Sequence, residues 1–258
     1  MDMANLRRQF EEKGFCIVPK ALSTVVLEQA RSALDRGVEL TRAKGATHIA
    51  TLDPNDANIR VSNLPAIDSV FTDLLMHDDA LLAVEALLGP HYLISNFTAN
   101  IALPGSKSMR LHSDQALVLP PPWLQPFAMN IIWCLDDVHL ENGATLYLPD
   151  SHRLQAPEDV PPDALDRMRA FEAPAGSFIA MDGRLWHTSG SNVTTNEQRR
   201  MLFAYYSADF VRQEMNWAIS LPQEVQSAMD SRTRARFALS AFGHTRIANE
   251  LTAIVAGA

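Results

Sequence analysis

The chain has 258 residues, 47% hydrophobic and 20% charged, values ordinary for a globular protein with a sizeable core. Its net charge of -8, with no basic stripe interleaved with aromatics, speaks against a nucleic-acid partner. Two cysteines, Cys16 and Cys134, are too few for a disulfide framework or a thiolate zinc site.

The N-terminal stretch contains acidic residues and has no apolar signal region, and no apolar run reaches the length of a membrane span. A cytoplasmic protein is therefore expected. Residues 4–13 predict a short helix with Leu6 and Phe10 on one face, stopped by Gly14. Residues 15–18 are a short apolar strand ended by Pro19. Ser23 caps a long helix to about residue 44, with Leu27, Ala30, Leu34 and Val38 as its buried stripe. Residues 45–65 are polar and predict a loop around Asp53-Pro54-Asn55-Asp56. Two further helices follow at about 66–76 and 79–88, so the first ninety residues are mainly helical.

From residue 92 the texture changes to β-branched and aromatic residues. Strands are predicted at 92–103, 127–135, 144–148, 177–181, 185–189 and 200–208. Glu141-Asn142-Gly143 and Asp182-Gly183-Arg184 read as hairpin turns. Many short strands with frequent turns predict a sandwich or jelly roll occupying 91–210. Residues 222–240 return to helix with Val225, Met229 and Phe237 facing inward, and this segment offers a surface for dimer contact. No repeat or linker divides the chain, so one domain covers 1–258, with 211–258 as a C-terminal helical segment. Monomer and homodimer both remain open.

Chemistry-bearing residues concentrate in Arg110-Leu111-His112-Ser113-Asp114-Gln115. On a strand, side chains at i and i+2 leave the same face, so the His112 imidazole and Asp114 carboxylate converge. A second imidazole would complete a 2-His-1-carboxylate site for non-haem Fe(II). The alternative is a solvated strand face. Of the other histidines, His48, His77, His91, His139, His152 and His244 fall in turns, loops or element boundaries. His187 lies inside the apolar run Arg184-Leu185-Trp186-His187, where each ring nitrogen needs a partner, and a metal ion or a plain hydrogen bond would serve. Arg199 and Arg200 open the last apolar strand. Alternation sends them to opposite faces, so only one points inward, where a buried guanidinium requires an anion.

Taken together, the motifs resemble the phytanoyl-CoA dioxygenase (PhyH-like) family of Fe(II)/2-oxoglutarate-dependent oxygenases. They are His112-x-Asp114, Asn130-x-x-Trp133-x-Leu135-x-Asp137, Glu141-Asn142-Gly143-Ala144-Thr145, Leu148-Pro149-Asp150-Ser151-His152, Trp186-His187-x-Ser189-Gly190-x-Asn192 and Arg199. The resemblance covers roughly residues 10–210. It implies a double-stranded β-helix (jelly-roll) core with flanking helices. It also implies His112, Asp114 and His187 as iron ligands, and an arginine gripping the distal carboxylate of 2-oxoglutarate. Family spacing favours Arg199 for that role, with Ser189 beside it; Asn130 and Thr145 sit in the quoted motifs as further cofactor-side candidates. One departure is Asp150, where the family has glycine, and Asp tolerates the left-handed conformation such a turn demands better than most residues. Halogenating relatives lack the carboxylate equivalent to Asp114. Its presence here implies oxidation of a C–H bond, ending in hydroxylation, desaturation or ring formation, with dioxygen consumed and succinate and CO2 released.

For the substrate, residues 117–127 contain three consecutive prolines and Trp123, a stiff segment expected to wall the pocket with Gln115 and Phe127. A small, largely apolar metabolite is the expected substrate, and no basic patch marks an acyl-CoA phosphate. Two alternatives belong to other classes: a silent jelly-roll protein that only binds a ligand, and a zinc hydrolase. A silent protein has less reason to keep both the triad and the arginine, and zinc chemistry gives no reason for Arg199.

Overall fold

The computed structural model describes residues 1–47, 49, 52–240, 243 and 245. His48 and His244 lie outside them. Helix α1 (Met3–Lys13) is capped by the Asp2 carboxylate, which accepts from the amides of Ala4 and Asn5. It stops at Gly14, whose φ of 78° is costly for any residue with a Cβ. A Cβ there would also stand 2.7 Å from the His152 ring. Helix α2 (Thr24–Ala43) starts at Ser23, whose hydroxyl accepts from the Val26 amide, and buries Leu27, Ala30, Leu34 and Val38. Helices α3 (Ser69–Leu75) and α4 (Asp78–Leu88) follow. The first of them begins later than its sequence pattern suggests because Leu64–Ala66, with a proline inside, forms a separate 3₁₀ turn.

The described residues form nine strands: β1 (Phe15–Val18), β2 (Asn58–Val61), β3 (Tyr92–Ala102), β4 (Ala128–Cys134), β5 (Thr145–Tyr147), β6 (Arg169–Ala170), β7 (Phe178–Asp182), β8 (His187–Ser189) and β9 (Arg199–Ala208). Among them β2 lies inside the stretch expected to be loop alone. They form a six-stranded sheet in the order β1-β7-β4-β9-β3-β2 and a three-stranded sheet in the order β6-β5-β8. Every pairing is antiparallel. This is the jelly roll with flanking helices. Both expected hairpins are instead crossings between sheets, since β4 and β7 belong to the large sheet while β5 and β8 belong to the small one. A turn signature reports that the chain reverses, not which sheet receives it.

Alternation along β9 divides the molecule. Leu202, Ala204 and Tyr206 face outward into the layer made with the helices, together with Trp133 and Phe178, and all five are buried. Met201 faces inward with Ile132, Cys134, Ile179 and Met181, against Ala144, Leu185 and Phe171 from the small-sheet side. Each large side chain so buried stabilises by about 1.5–3 kcal/mol, an upper bound because the unfolded chain already hides some surface. Arg199, Phe203 and Tyr205 share the inward face, in register with Ala102, Thr98 and Asn96 of β3.

The C-terminal part is broken into α5 (Trp217–Ser220), α6 (Gln223–Ala228) and α7 (Ser231–Arg236) rather than one helix over 222–240. Asp230 interrupts it by capping α7, its carboxylate accepting from the Thr233 amide at 2.7 Å. Phe237 is buried as expected, edge-on to Trp217 at 5.0 Å. No helix among the described residues is long and apolar enough to cross a membrane.

Candidate metal centre

A two-residue bridge assembles the site. The His112 amide donates to the His187 carbonyl at 3.0 Å and the His187 amide to the His112 carbonyl at 2.8 Å. The segment around His112 is therefore held against β8 by one isolated bridge instead of forming a strand. Cross-strand neighbours place the two imidazoles 4.3 Å apart, centre to centre. Asp114 then opens a 3₁₀ turn (Asp114–Leu117) that swings its carboxylate beneath both rings. Gly183 anchors this segment: its carbonyl accepts from the Ser113 hydroxyl at 2.7 Å and from the Gln115 amide at 2.8 Å. A Cβ on Gly183 would stand 2.6 Å from that of Ala128 and 2.8 Å from the Ala128 carbonyl oxygen. Gly183→Ala should therefore destabilise the fold by about 1–3 kcal/mol through forced backbone movement. Chemical denaturation checks this, and an unchanged midpoint would show that the backbone gives way freely.

Donor atoms of His112, Asp114 and His187 all lie within 4.8 Å of one another. Nε2 of His112 is 3.8 Å from Asp114 Oδ1, and Nε2 of His187 is 3.7 Å from the same oxygen. Each Nδ1 sits 2.9 Å from a backbone carbonyl two residues back, that of Arg110 for His112 and of Leu185 for His187. A carbonyl only accepts, so the hydrogen resides on Nδ1 and both Nε2 lone pairs face the carboxylate. Burial holds the His187 imidazole below the usual histidine range, which keeps it neutral. Asn130 donates to Asp114 Oδ2 at 3.0 Å and the Tyr205 hydroxyl donates to the Asp114 carbonyl at 3.2 Å, fixing the carboxylate with Oδ1 toward the rings. Two imidazole nitrogens and one carboxylate oxygen are a donor set that fits Fe(II).

Arg199 enters from the first position of β9 and is wholly buried. Its guanidinium donates to the carbonyls of Gly143 at 3.0 Å and Asn100 at 3.2 Å, and to the Asn100 side-chain oxygen at 3.2 Å. These partners are neutral, and no carboxylate pairs with it among the described residues. Burial lowers its pKa to about 10, so it stays charged at neutral pH. A buried cation without a counter-ion fits an incoming carboxylate. Ser189 and Thr145 pair across β8 and β5, and the Ser189 hydroxyl accepts from the Met109 amide at 3.0 Å while its own hydrogen stays free to donate. Arg200 faces the other way and grips Asp136 through two hydrogen bonds of 3.0 and 2.7 Å.

A profile of the phytanoyl-CoA dioxygenase (PhyH) family matches residues 10–201. The chain belongs to that family. Dioxygenase af480 of Aspergillus fumigatus is 46% identical over 95% of this chain and 79% of its own length. Dioxygenase cdmA of Talaromyces verruculosus is 23% identical over 75% of the chain and 63% of its own length. Among solved structures, HygX from Streptomyces hygroscopicus, with nickel, 2-oxoglutarate and hygromycin B bound, superimposes with a TM-score of 0.66 at 17% identity, covering 81% of this chain and 88% of that one. The carbocyclase SnoK from nogalamycin biosynthesis gives a TM-score of 0.66 at 20% identity, over 80% of this chain and 83% of that one. As a PhyH-family dioxygenase the protein works with Fe(II), 2-oxoglutarate and dioxygen.

Of the substrate-side residues expected from the sequence, two of this PhyH-family chain stand elsewhere. Trp123 is buried within the packing beneath the loop. It is 1% exposed, packs with Leu148, Ala164 and Trp186, and donates its indole N–H to the Val118 carbonyl at 2.9 Å. Gln115 is fully buried and both ends of its amide are used, by the Gln125 carbonyl at 2.9 Å and the Phe127 amide at 2.7 Å. These two residues pin the proline-rich loop. Phe127 is half-buried against Phe210, with ring centres 5.3 Å apart. Trp123→Ala is expected to lower stability by about 3–5 kcal/mol and loosen residues 117–126, seen as a lower denaturation midpoint and faster proteolysis there. A wild-type midpoint would contradict the anchor role.

Sequence reasoning missed Asn96, Thr98, Phe203 and Tyr205, which share the inward face, with Tyr205 reaching Asp114. The signal existed for two of them, because Phe203 and Tyr205 lie at even spacing from Arg199. Asp150 adopts φ 63°, the left-handed conformation anticipated for it, and the adjacent Ser151 hydroxyl receives the Trp186 amide just before His187.

Proposed function

We propose that this dioxygenase oxidises a C–H bond of a small organic molecule, with Fe(II) held by His112 Nε2, Asp114 Oδ1 and His187 Nε2. Arg199 receives the distal carboxylate of 2-oxoglutarate, with the Ser189 hydroxyl as a further donor and Thr145 beside it. The observation that carries this reading is the juxtaposition of a three-donor cluster with a buried, unpaired guanidinium inside one sandwich. When bound, Fe(II) supplies the activation of dioxygen that couples decarboxylation of 2-oxoglutarate, to succinate and CO2, to oxidation of the substrate. The chain's own part is placement. Backbone carbonyls of Arg110 and Leu185 fix the two ring orientations, Asn130 fixes the carboxylate, and the interior excludes bulk water from His187. Hydroxylation is the simplest outcome. Both cysteines are free and buried, in keeping with a cytoplasmic setting.

Anaerobic addition of Fe(II) and then 2-oxoglutarate should raise a weak visible charge-transfer band. Succinate release across a panel of small molecules, with His112→Ala as the blank, then reports the substrate. A protein that folds, binds Zn(II) and gives no band with Fe(II) and 2-oxoglutarate would overturn the assignment in favour of hydrolytic chemistry.

A further inference from the structure

Glu214 holds a carboxylate at the end of the cross-strand row that fixes Asp114, without taking part in the arrangement described so far. Strand β3 carries a bulge: Ile94 pairs with Tyr206 and Asn96 with Tyr205, which leaves Ser95 as the extra residue. Ile94 and Phe97 both pack outward against the helices, so the bulge reverses the alternation and turns Asn96 to the interior. Asn96, Tyr205 and Asn130 thereby form one cross-strand row. Two members of the row bind Asp114, through the Asn130 amide and the Tyr205 hydroxyl. The third, Asn96, lies two strand spacings from Asn130, about 10 Å. It donates to Glu214 at 2.7 Å.

The placement of Glu214 is built in. The chain over 213–217 is fastened to the bulge by four hydrogen bonds: Gln213 side chain to the Ile94 carbonyl at 2.6 Å, Glu214 amide to the Ser95 hydroxyl at 2.9 Å, Met215 amide to the Ser95 carbonyl at 3.0 Å, and Trp217 indole to the Ile94 carbonyl at 2.8 Å. A carboxylate only accepts, so both asparagines must turn their NH2 groups to Glu214 and Asp114. The amide oxygens of Asn96 and Asn130 are left without partners among the described residues. Glu214 is partly open to solvent, its carboxylate half-enclosed by the elements packed around it. The edge of the site beside Asp114 is thus rich in acceptors and short of donors.

We propose that Glu214, set in place by Asn96, is the docking point for a hydrogen-bond-donating group of the substrate, a hydroxyl or an ammonium, and so decides which carbon faces the metal. The inference rests on the metal-centre reading above, and it replaces the largely apolar substrate with one that carries a polar donor. The test uses three probes on one ring: cyclohexanol and cyclohexylammonium as donors, and cyclohexanone, which only accepts. Mn(II) bound at the centre with 2-oxoglutarate enhances relaxation of nearby probe protons, and saturation transfer from the metal-free protein gives the same affinities independently. The donor probes are expected to bind at least about tenfold more tightly than cyclohexanone, and Glu214→Ala should erase that preference. Glu214→Gln, the same size and uncharged, should keep the preference for cyclohexanol if the donor is a hydroxyl and lose that for cyclohexylammonium. Equal binding of all three probes by the wild type, or a donor preference that survives Glu214→Ala, would overturn the inference. Failure of Mn(II) to bind would sink the metal-centre reading instead, with saturation transfer still deciding this one.

Discussion

Asp114→Ala is expected to weaken Fe(II) binding by more than about a hundredfold while leaving the fold nearly intact. The magnitude follows from the effect of groups one step further out, whose loss alone typically weakens metal affinity 10–100-fold. Both imidazoles approach the same oxygen of this carboxylate, at 3.8 and 3.7 Å, so its removal takes away the atom on which the cluster converges. The fold is protected because the local turn does not depend on the side chain. The Tyr205 hydroxyl binds the Asp114 backbone carbonyl, and the Gly183 carbonyl holds the residues on either side. Asn130 would lose its acceptor, but its amide can turn toward the space vacated. Anaerobic titration with Fe(II) in the presence of 2-oxoglutarate measures the loss, and thermal melting measures the fold. A variant that binds Fe(II) as tightly as the wild type would show that the donor set lies elsewhere in the chain. The milder Asn130→Ala removes only the hydrogen bond to Oδ2 and should weaken the metal about tenfold.

Local chemistry made some of this legible and long-range register hid the rest. His187 stands out because a histidine inside an apolar run must satisfy two ring nitrogens. The buried stripe of α2 likewise follows from period alone, whereas the positive φ at Asp150 was legible only through the resemblance to a family that has glycine at that position. Trp123 and Gln115 misled because nearness in sequence to His112 does not say which side of a loop a side chain takes. Both turned inward to stabilise the loop, as large or amide side chains do when core space and backbone partners are at hand. The hairpins misled for a related reason, since partner strands in a jelly roll are chosen by the crossover and not by the turn. Asn96 was hidden more deeply. Its inward direction depends on the extra residue Ser95, and counting by twos along β3 from Phe97 or Ile94 alone gives opposite answers. Nothing near Glu214 in the sequence announces that it returns to that bulge more than a hundred residues away.

Arg199→Ala should raise the KM for 2-oxoglutarate by about a hundredfold or more, since removing one partner of a desolvated charge pair commonly costs 2–5 kcal/mol. The same substitution strips donors from the Gly143 carbonyl and both Asn100 oxygens, so some loss of stability must accompany it. Arg199→Lys separates the two effects. It keeps a cation in the interior but not the planar fork, and should recover part of the melting temperature while leaving 2-oxoglutarate bound about tenfold more weakly than in the wild type. Arg200 provides the opposite case one residue away. Its guanidinium lies on the helix side of β9, paired with Asp136, so Arg200→Ala should cost roughly 1 kcal/mol of stability and leave the KM unchanged. The two neighbours therefore respond to different measurements because strand alternation sends one into the sandwich and the other onto its outer layer. A 2-oxoglutarate KM that rises on losing Arg200 and not on losing Arg199 would mean that the keto acid does not enter between the sheets.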